Sequence, residues 1–166
     1  MNTSSLQIRP AVETDVSTIL GLIRELADFE RLAHEVVASE PLLRETLFGS
    51  RPGAEVLLAQ VADEVVGFAL FFPNFSTFLG RPGLYLEDLY IRPKFRGQGY
   101  GEQLLRHLAG ICAERGYGRF EWSVLDWNQR AINFYKGLGA KAMDDWTMFR
   151  VTGDALTKLG SEQDPS

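Results

Sequence analysis

Arg96-Gly97-Gln98-Gly99-Tyr100-Gly101 decides the reading of this chain of 166 residues. It follows a strand-like run, Leu84-Tyr85-Leu86-Glu87-Asp88-Leu89-Tyr90-Ile91, and leads into an amphipathic helical pattern from Glu102. Three alternate glycines permit a tight turn and leave successive N–H groups uncovered by side chains. The helix behind them carries roughly half a positive charge at its N-terminus. Such a loop is built to hold an anion, and a pyrophosphate fits it best. Arg96 adds a forked cationic donor at its mouth. The pattern implies a nucleotide-cofactor binder.

Two common phosphate loops do not fit. A Walker loop needs Gly-Lys followed by Ser or Thr, whereas Gly101 is followed by Glu102-Gln103. A dinucleotide fingerprint sets its third glycine one place later, with an acidic residue about twenty positions on. Glu121 stands near that distance, but the glycine spacing is wrong and the loop lies past mid-chain. A turn without a ligand would need only one or two glycines and no arginine.

Bulk properties bound the function. The length suits one domain, taken as 1–166 with an ordered core of about 6–159. The net charge of −5 weighs against nucleic acid and is compatible with a cationic small substrate. The single cysteine, Cys112, excludes an internal disulfide and reads as a filler on the stripe Leu104, Leu105, Leu108, Ile111. His34 and His107 lie far apart, so no metal is expected. With no span-length apolar run and no signal core, the expected location is cytoplasmic, without a membrane partner.

Periodicity lays out the elements. A strand over Leu6–Pro10 precedes a helix over Glu13–Phe29 whose apolar face is Val16, Ile19, Leu20, Ile23, Leu26 and Ala27. Ser39 caps a second helix that Gly49 stops. Val56–Ala62 and Val65–Phe72 form a hairpin about Asp63-Glu64, and Pro73–Gly83 reads as a loop. After the central strand and the helix Glu102–Arg115 come a strand over Arg119–Leu125 and a helix over Gln129–Lys136. Ala140–Met143 and Thr147–Val151 then pair as a final hairpin, and the polar tail Gly160–Ser166 is expected to be disordered. This order predicts a mixed α/β fold, a mostly antiparallel sheet with helices on both faces. Strands Leu84–Ile91 and Arg119–Leu125 run parallel through a right-handed crossover.

Several segments together resemble the Gcn5-related N-acetyltransferases (GNAT). Arg96 with Gly99 and Gly101 resembles that superfamily's Arg/Gln-x-x-Gly-x-Gly/Ala loop, and Ile8-Arg9-Pro10-Ala11 with Asp15 its first strand and helix. Asp126-Trp127-Asn128 and Ala131-Ile132-Asn133-Phe134-Tyr135-Lys136-Gly137 resemble its late Asn-x-x-Ala-x-x-Phe-Tyr segment. More narrowly, Tyr85–Tyr90, Arg24–Ala27 and Trp127-Asn128 with Ile132–Lys136 resemble the diamine (spermidine/spermine) and thialysine acetyltransferases. The resemblance implies acetyl-CoA as cosubstrate, a splayed parallel strand pair that receives its pantetheine arm, and a homodimer. It implies coenzyme contacts at Leu89, Tyr90, Ile91, Arg96, Gly97, Gln98, Gly99, Tyr100, Gly101, Glu102, Asn128, Ala131 and Tyr135. An N–H within Leu89–Ile91 would polarise the thioester carbonyl.

Acetyl transfer to an amine also requires a base and a proton for the departing thiolate. Glu87 is the candidate base and Tyr135 the candidate acid. Successive strand residues face opposite sides, so Glu87 and Asp88 reach one cleft only through a local bulge. Asn128 is placed to cap its helix, and Asn133 to lie on that helix's surface. Phe29, Glu30, Glu87, Asp88 and Asp144 match substrate-binding positions of the family. Where the polyamine enzymes carry an aspartate and a tryptophan, this chain has Ser76 and Phe78. One acidic contact is lost, so a shorter amine such as thialysine, lysine or a diamine fits the remaining charges at least as well as spermidine. Two other readings are acetylation of a protein N-terminus or lysine, and a non-catalytic acyl-CoA-binding regulator. The Phe71–Leu79 aromatic segment argues for a closed pocket against the first; retention of Glu87 and Tyr135 argues against the second.

Overall fold

The computed structural model describes residues 5–161. The chain falls into two units, Met1–Ser123 and Val124–Ser166. The first contains β1 (Leu6–Pro10), α1 (Val16–Phe29), α2 (Glu40–Phe48), β2 (Glu55–Val61), β3 (Glu64–Ser76), β4 (Arg81–Ile91), α3 (Tyr100–Arg115) and β5 (Phe120–Trp122). The second contains α4 (Gln129–Gly137) and α5 (Gly153–Ser161). The five strands form one sheet in chain order, antiparallel except for the parallel pair β4–β5.

Both sheet faces are covered. Val16, Ile19, Leu20, Leu22 and Leu26 of α1 pack with Leu43 and Leu47 of α2 onto Val56, Leu58, Phe68 and Tyr90. The alternate strand residues Leu57, Ala59, Ala69, Leu84 and Leu86 are also buried, as are Leu104, Leu105, Leu108 and Cys112 of α3. Arg9 ties β1 to the start of α1 through two hydrogen bonds to Asp15, 2.8 and 2.9 Å. This pair holds the Asp15 carboxyl below its ordinary range. Ser39 caps α2, its Oγ accepting from the Leu42 N–H, and Gly116 ends α3 in the left-handed region at φ 68°.

Five expectations are corrected. The segment Pro73–Gly83 is not a loop: β3 and β4 stay paired through Asn74–Gly83, Phe75–Pro82 and Ser76–Arg81, leaving only 77–80 as a turn. Its prolines sit where the ladder has a strand on one side only, past the last β2 pair at Phe71 and before the first β5 pair at Leu84. The tip turn is closed by Ser76, whose buried Oγ accepts from the Leu79 N–H at 3.2 Å.

The final hairpin over Ala140–Met143 and Thr147–Val151 does not form; among the described residues no strand follows Trp122. Trp146 and Phe149 are 77% and 90% exposed. A two-stranded ribbon with nothing to bury against is marginal in water. Residues 153–161 instead form α5, with Asp154 in its first turn and Lys158 in its last. The disorder expected for the tail therefore fails at Gly160 and Ser161, and its remainder lies outside the described residues.

The strand over Arg119–Leu125 is shorter than expected: only Phe120–Trp122 pair with β4. The early hairpin turns at Ala62-Asp63, one residue before the expected position.

Candidate active site

Two irregularities meet on β4. On one side its ladder with β5 ends at Leu86–Trp122, so Glu87–Ile91 have no strand partner there. The departure of β5 is braced by a 2.7 Å hydrogen bond between the hydroxyls of Tyr85 and Ser123. On the other side the β3 register shifts: Leu70 pairs with Asp88, but Phe71 pairs with Leu86. Glu87 is the extra residue of a β-bulge.

The bulge reverses the side-chain alternation. Asp88 shares the face of Tyr90, toward α1, although Leu86 two residues earlier lies on the opposite face. At the end of α1 stands Glu30, half-buried, its carboxyl pushed up by burial. Asp88 is half-buried as well. Its carboxyl is raised to about 7, first by burial and then by the negative charges of Glu87 and Glu30. Glu87 itself is exposed. Three carboxylates thus gather beside the unpaired edge of β4, a setting that attracts a cation and includes one group able to exchange a proton near neutral pH.

The glycine loop follows directly. Gly97 and Gly99 have φ of 78° and 80°, a region open to glycine and strained for other residues. A Cβ built at either meets nothing within 4 Å, so the backbone lies bare, and Gly99 is the N-cap of α3. This cradle fits a diphosphate: uncovered amides in front of a sixteen-residue helix. Arg96 differs from its expected posture as a fork at the loop's mouth. Its Nε donates to the Ile91 carbonyl at 2.8 Å, and its guanidinium carbon lies 4.6 Å from the Phe29 ring centre and 5.4 Å from that of Tyr90. Tyr100 donates to the Gln98 side chain, and Glu102 pairs with Arg106.

Gly67 of β3 was not anticipated. A Cβ there would meet the Tyr90 carbonyl oxygen and, at 2.6 Å, the Ile91 side chain. The signal was present as an isolated glycine inside a strand pattern, which marks close backbone approach.

In the second unit, Asn128 caps α4, its Oδ1 accepting from the Ala131 N–H at 3.2 Å. Tyr135 is half-buried on α4, its ring centre 5.6 Å from that of Phe134. Asn133 lies on the helix surface and accepts from Gln129 at 2.8 Å. Asp144 is exposed. Ser76 is committed to its own turn, and Phe78 at the tip is 100% exposed.

Known proteins agree with this geometry. The model of the Acetyltransferase (GNAT) family matches residues 22–140. Thialysine N-epsilon-acetyltransferase of Mus musculus is 40% identical, covering 94% of this chain and 98% of its own. L-ornithine N5-acetyltransferase of Arabidopsis thaliana is 36% identical over 92% of this chain and 87% of its own. Among solved structures, an integron cassette protein from the mobile metagenome of V. cholerae superposes with a TM-score of 0.81 at 28% identity, covering 95% of this chain and 99% of that one. Bare loop, splayed strand pair and family match converge: the chain belongs to the GNAT family and is an acetyltransferase.

Proposed function

We propose that this enzyme moves the acetyl group of acetyl-CoA to a primary amine of a small cationic molecule, of the size of thialysine, ornithine, lysine or a short diamine. The observation that carries the reading is the carboxylate cluster of Glu30, Glu87 and Asp88 beside the unpaired stretch of β4. Relatives named for thialysine and ornithine, both compact amines, support the size class. The turn-bound Ser76, in place of a second distal carboxylate, supports it too.

Acetyl-CoA supplies the activated acyl thioester; the remaining work falls to this chain. Amides of Gly97–Gly101 hold the diphosphate, and the free edge of Leu89–Ile91 receives the pantetheine arm as an added strand. Glu30 and Glu87 draw the ammonium in. Asp88 Oδ takes its proton, directly or through water. Bringing an alkyl ammonium to the neutral form at pH 7.4 costs about 4 kcal/mol. A carboxyl raised to about 7 is a better acceptor than an ordinary one by about three pKa units, or roughly 4 kcal/mol. We therefore assign proton acceptance to Asp88 and electrostatic capture to Glu87, reversing the order expected from resemblance. Tyr135 supplies the proton to the departing thiolate, and Asn128 and Ala131 shape the start of its helix; these roles rest on the Asn-x-x-Ala-x-x-Phe-Tyr match.

We read residues 1–166 as one N-acetyltransferase domain, since the family match over residues 22–140 begins in the first unit and reaches into the second. A homodimer is supported by the exposed Trp146, Met148 and Phe149. Cytoplasmic residence is in keeping with one buried, unpaired thiol, Cys112. Among the described residues no helix is long and apolar enough to cross a membrane.

Thiol release from acetyl-CoA, followed across a panel of thialysine, ornithine, lysine, putrescine, spermidine and lysine-containing peptides, tests the reading. Turnover highest with the short free amines supports it. A preference for peptides favours a protein acceptor, and tight coenzyme binding with no turnover favours a regulator.

A further inference from the structure

The coenzyme loop and the acceptor side meet at one side chain. Arg96 begins the loop, and its backbone is extended before Gly97 turns left-handed. Its guanidinium is spent three ways within 5.4 Å: on the Ile91 carbonyl, over the Phe29 ring and over the Tyr90 ring. Phe29 is the last residue of α1, next to Glu30, and is 44% exposed. Ile91 is the last residue of β4. A planar, delocalised cation that donates from Nε to a carbonyl while its central carbon lies over aromatic rings makes a set of contacts that lysine cannot reproduce.

We propose that Arg96 is a positioning residue, which sets the glycine loop for the coenzyme by bracing it against Phe29 and thereby ties coenzyme affinity to an aromatic ring on the amine side. This rests on the acetyltransferase reading above. With the brace in place, the loop is ordered before the diphosphate arrives, and binding loses less conformational entropy. Removing the ring leaves the amides and the charge of Arg96 intact but frees the side chain from one of its anchors. Because linkage is reciprocal, an amine lodged against Phe29 bears on coenzyme affinity through the same contact.

Calorimetric titration with acetyl-CoA alone, without amine, tests this. Phe29→Leu is expected to weaken binding about three- to tenfold, while Phe29→Tyr stays within about twofold of the wild type. Arg96→Lys is expected to weaken binding, and adding Phe29→Leu to it to cost nothing more, the signature of one shared interaction. Phe29→Met serves in place of the leucine variant should the latter melt early. Unchanged affinity in Phe29→Leu, or additive losses in the double variant, overturns the proposal and makes Arg96 a direct ligand of the diphosphate. A wild type that binds no acetyl-CoA overturns the acetyltransferase reading and this proposal together.

Discussion

Asp88 faces Leu70 across the β3–β4 ladder, on the sheet face that α1 covers, only because Glu87 is looped out of register beside it. In an unbulged strand of the same sequence Asp88 would share the parity of Leu86 and point to the opposite face. Looping Glu87 out of the ladder therefore turns the Asp88 carboxylate to the side of Glu30, where burial and like charge raise it to about 7.

Stability should depend on pH through this group. A carboxyl raised in the folded state favours folding of the protonated form. Its penalty is absent below the unfolded value near 3.8, grows between that value and about 7, and is complete above. Asp88→Asn is expected to match the wild type near pH 4 and to exceed it at pH 8 by up to about 4 kcal/mol. Chemical denaturation at the two pH values measures the difference; equal stability at both shows that Asp88 is not raised.

The same group should appear in the kinetics. kcat/KM for a short amine is expected to rise through an inflection near 7, the value of Asp88. Asp88→Asn is expected to lose both the inflection and about a hundredfold or more in rate. Glu87→Gln should mainly raise the amine KM. An inflection that survives in Asp88→Asn and disappears in Glu87→Gln returns proton transfer to Glu87.

Gly67→Ala should weaken coenzyme binding from a distance. The added methyl is forced onto the Tyr90 carbonyl and the Ile91 side chain, and β4 must shift where the pantetheine arm is proposed to pair. Overpacking of this kind costs about 1–3 kcal/mol. Titration with acetyl-CoA should show weaker binding together with a lower melting temperature; a drop in melting temperature with unchanged affinity separates β4 geometry from the coenzyme.

Much of this was legible along the chain. The glycine loop, the parallel crossover and the need for a bulge at Glu87-Asp88 follow from local spacing and side-chain parity, which the fold preserves. Ser39, Asn128 and Gly116 act as the caps that their types suggest. Elements that depend on neighbours read less well. Pro73 and Pro82 look like loop residues until the sheet's uneven edges are known. Ala140–Met143 and Thr147–Val151 look like a hairpin but form no ladder among the described residues. The stacking of Arg96 on Phe29 joins positions 67 residues apart (96 − 29), and only the assembled fold brings them together.

The most direct measurement is mass spectrometry of thialysine and ornithine incubated with the wild-type enzyme and acetyl-CoA, with Asp88→Asn run in parallel. The account predicts side-chain-acetylated amine from the wild type, and from Asp88→Asn intact coenzyme binding with little product. No acetylated amine from either compound, or from any short diamine, while acetyl-CoA binds tightly, would contradict it.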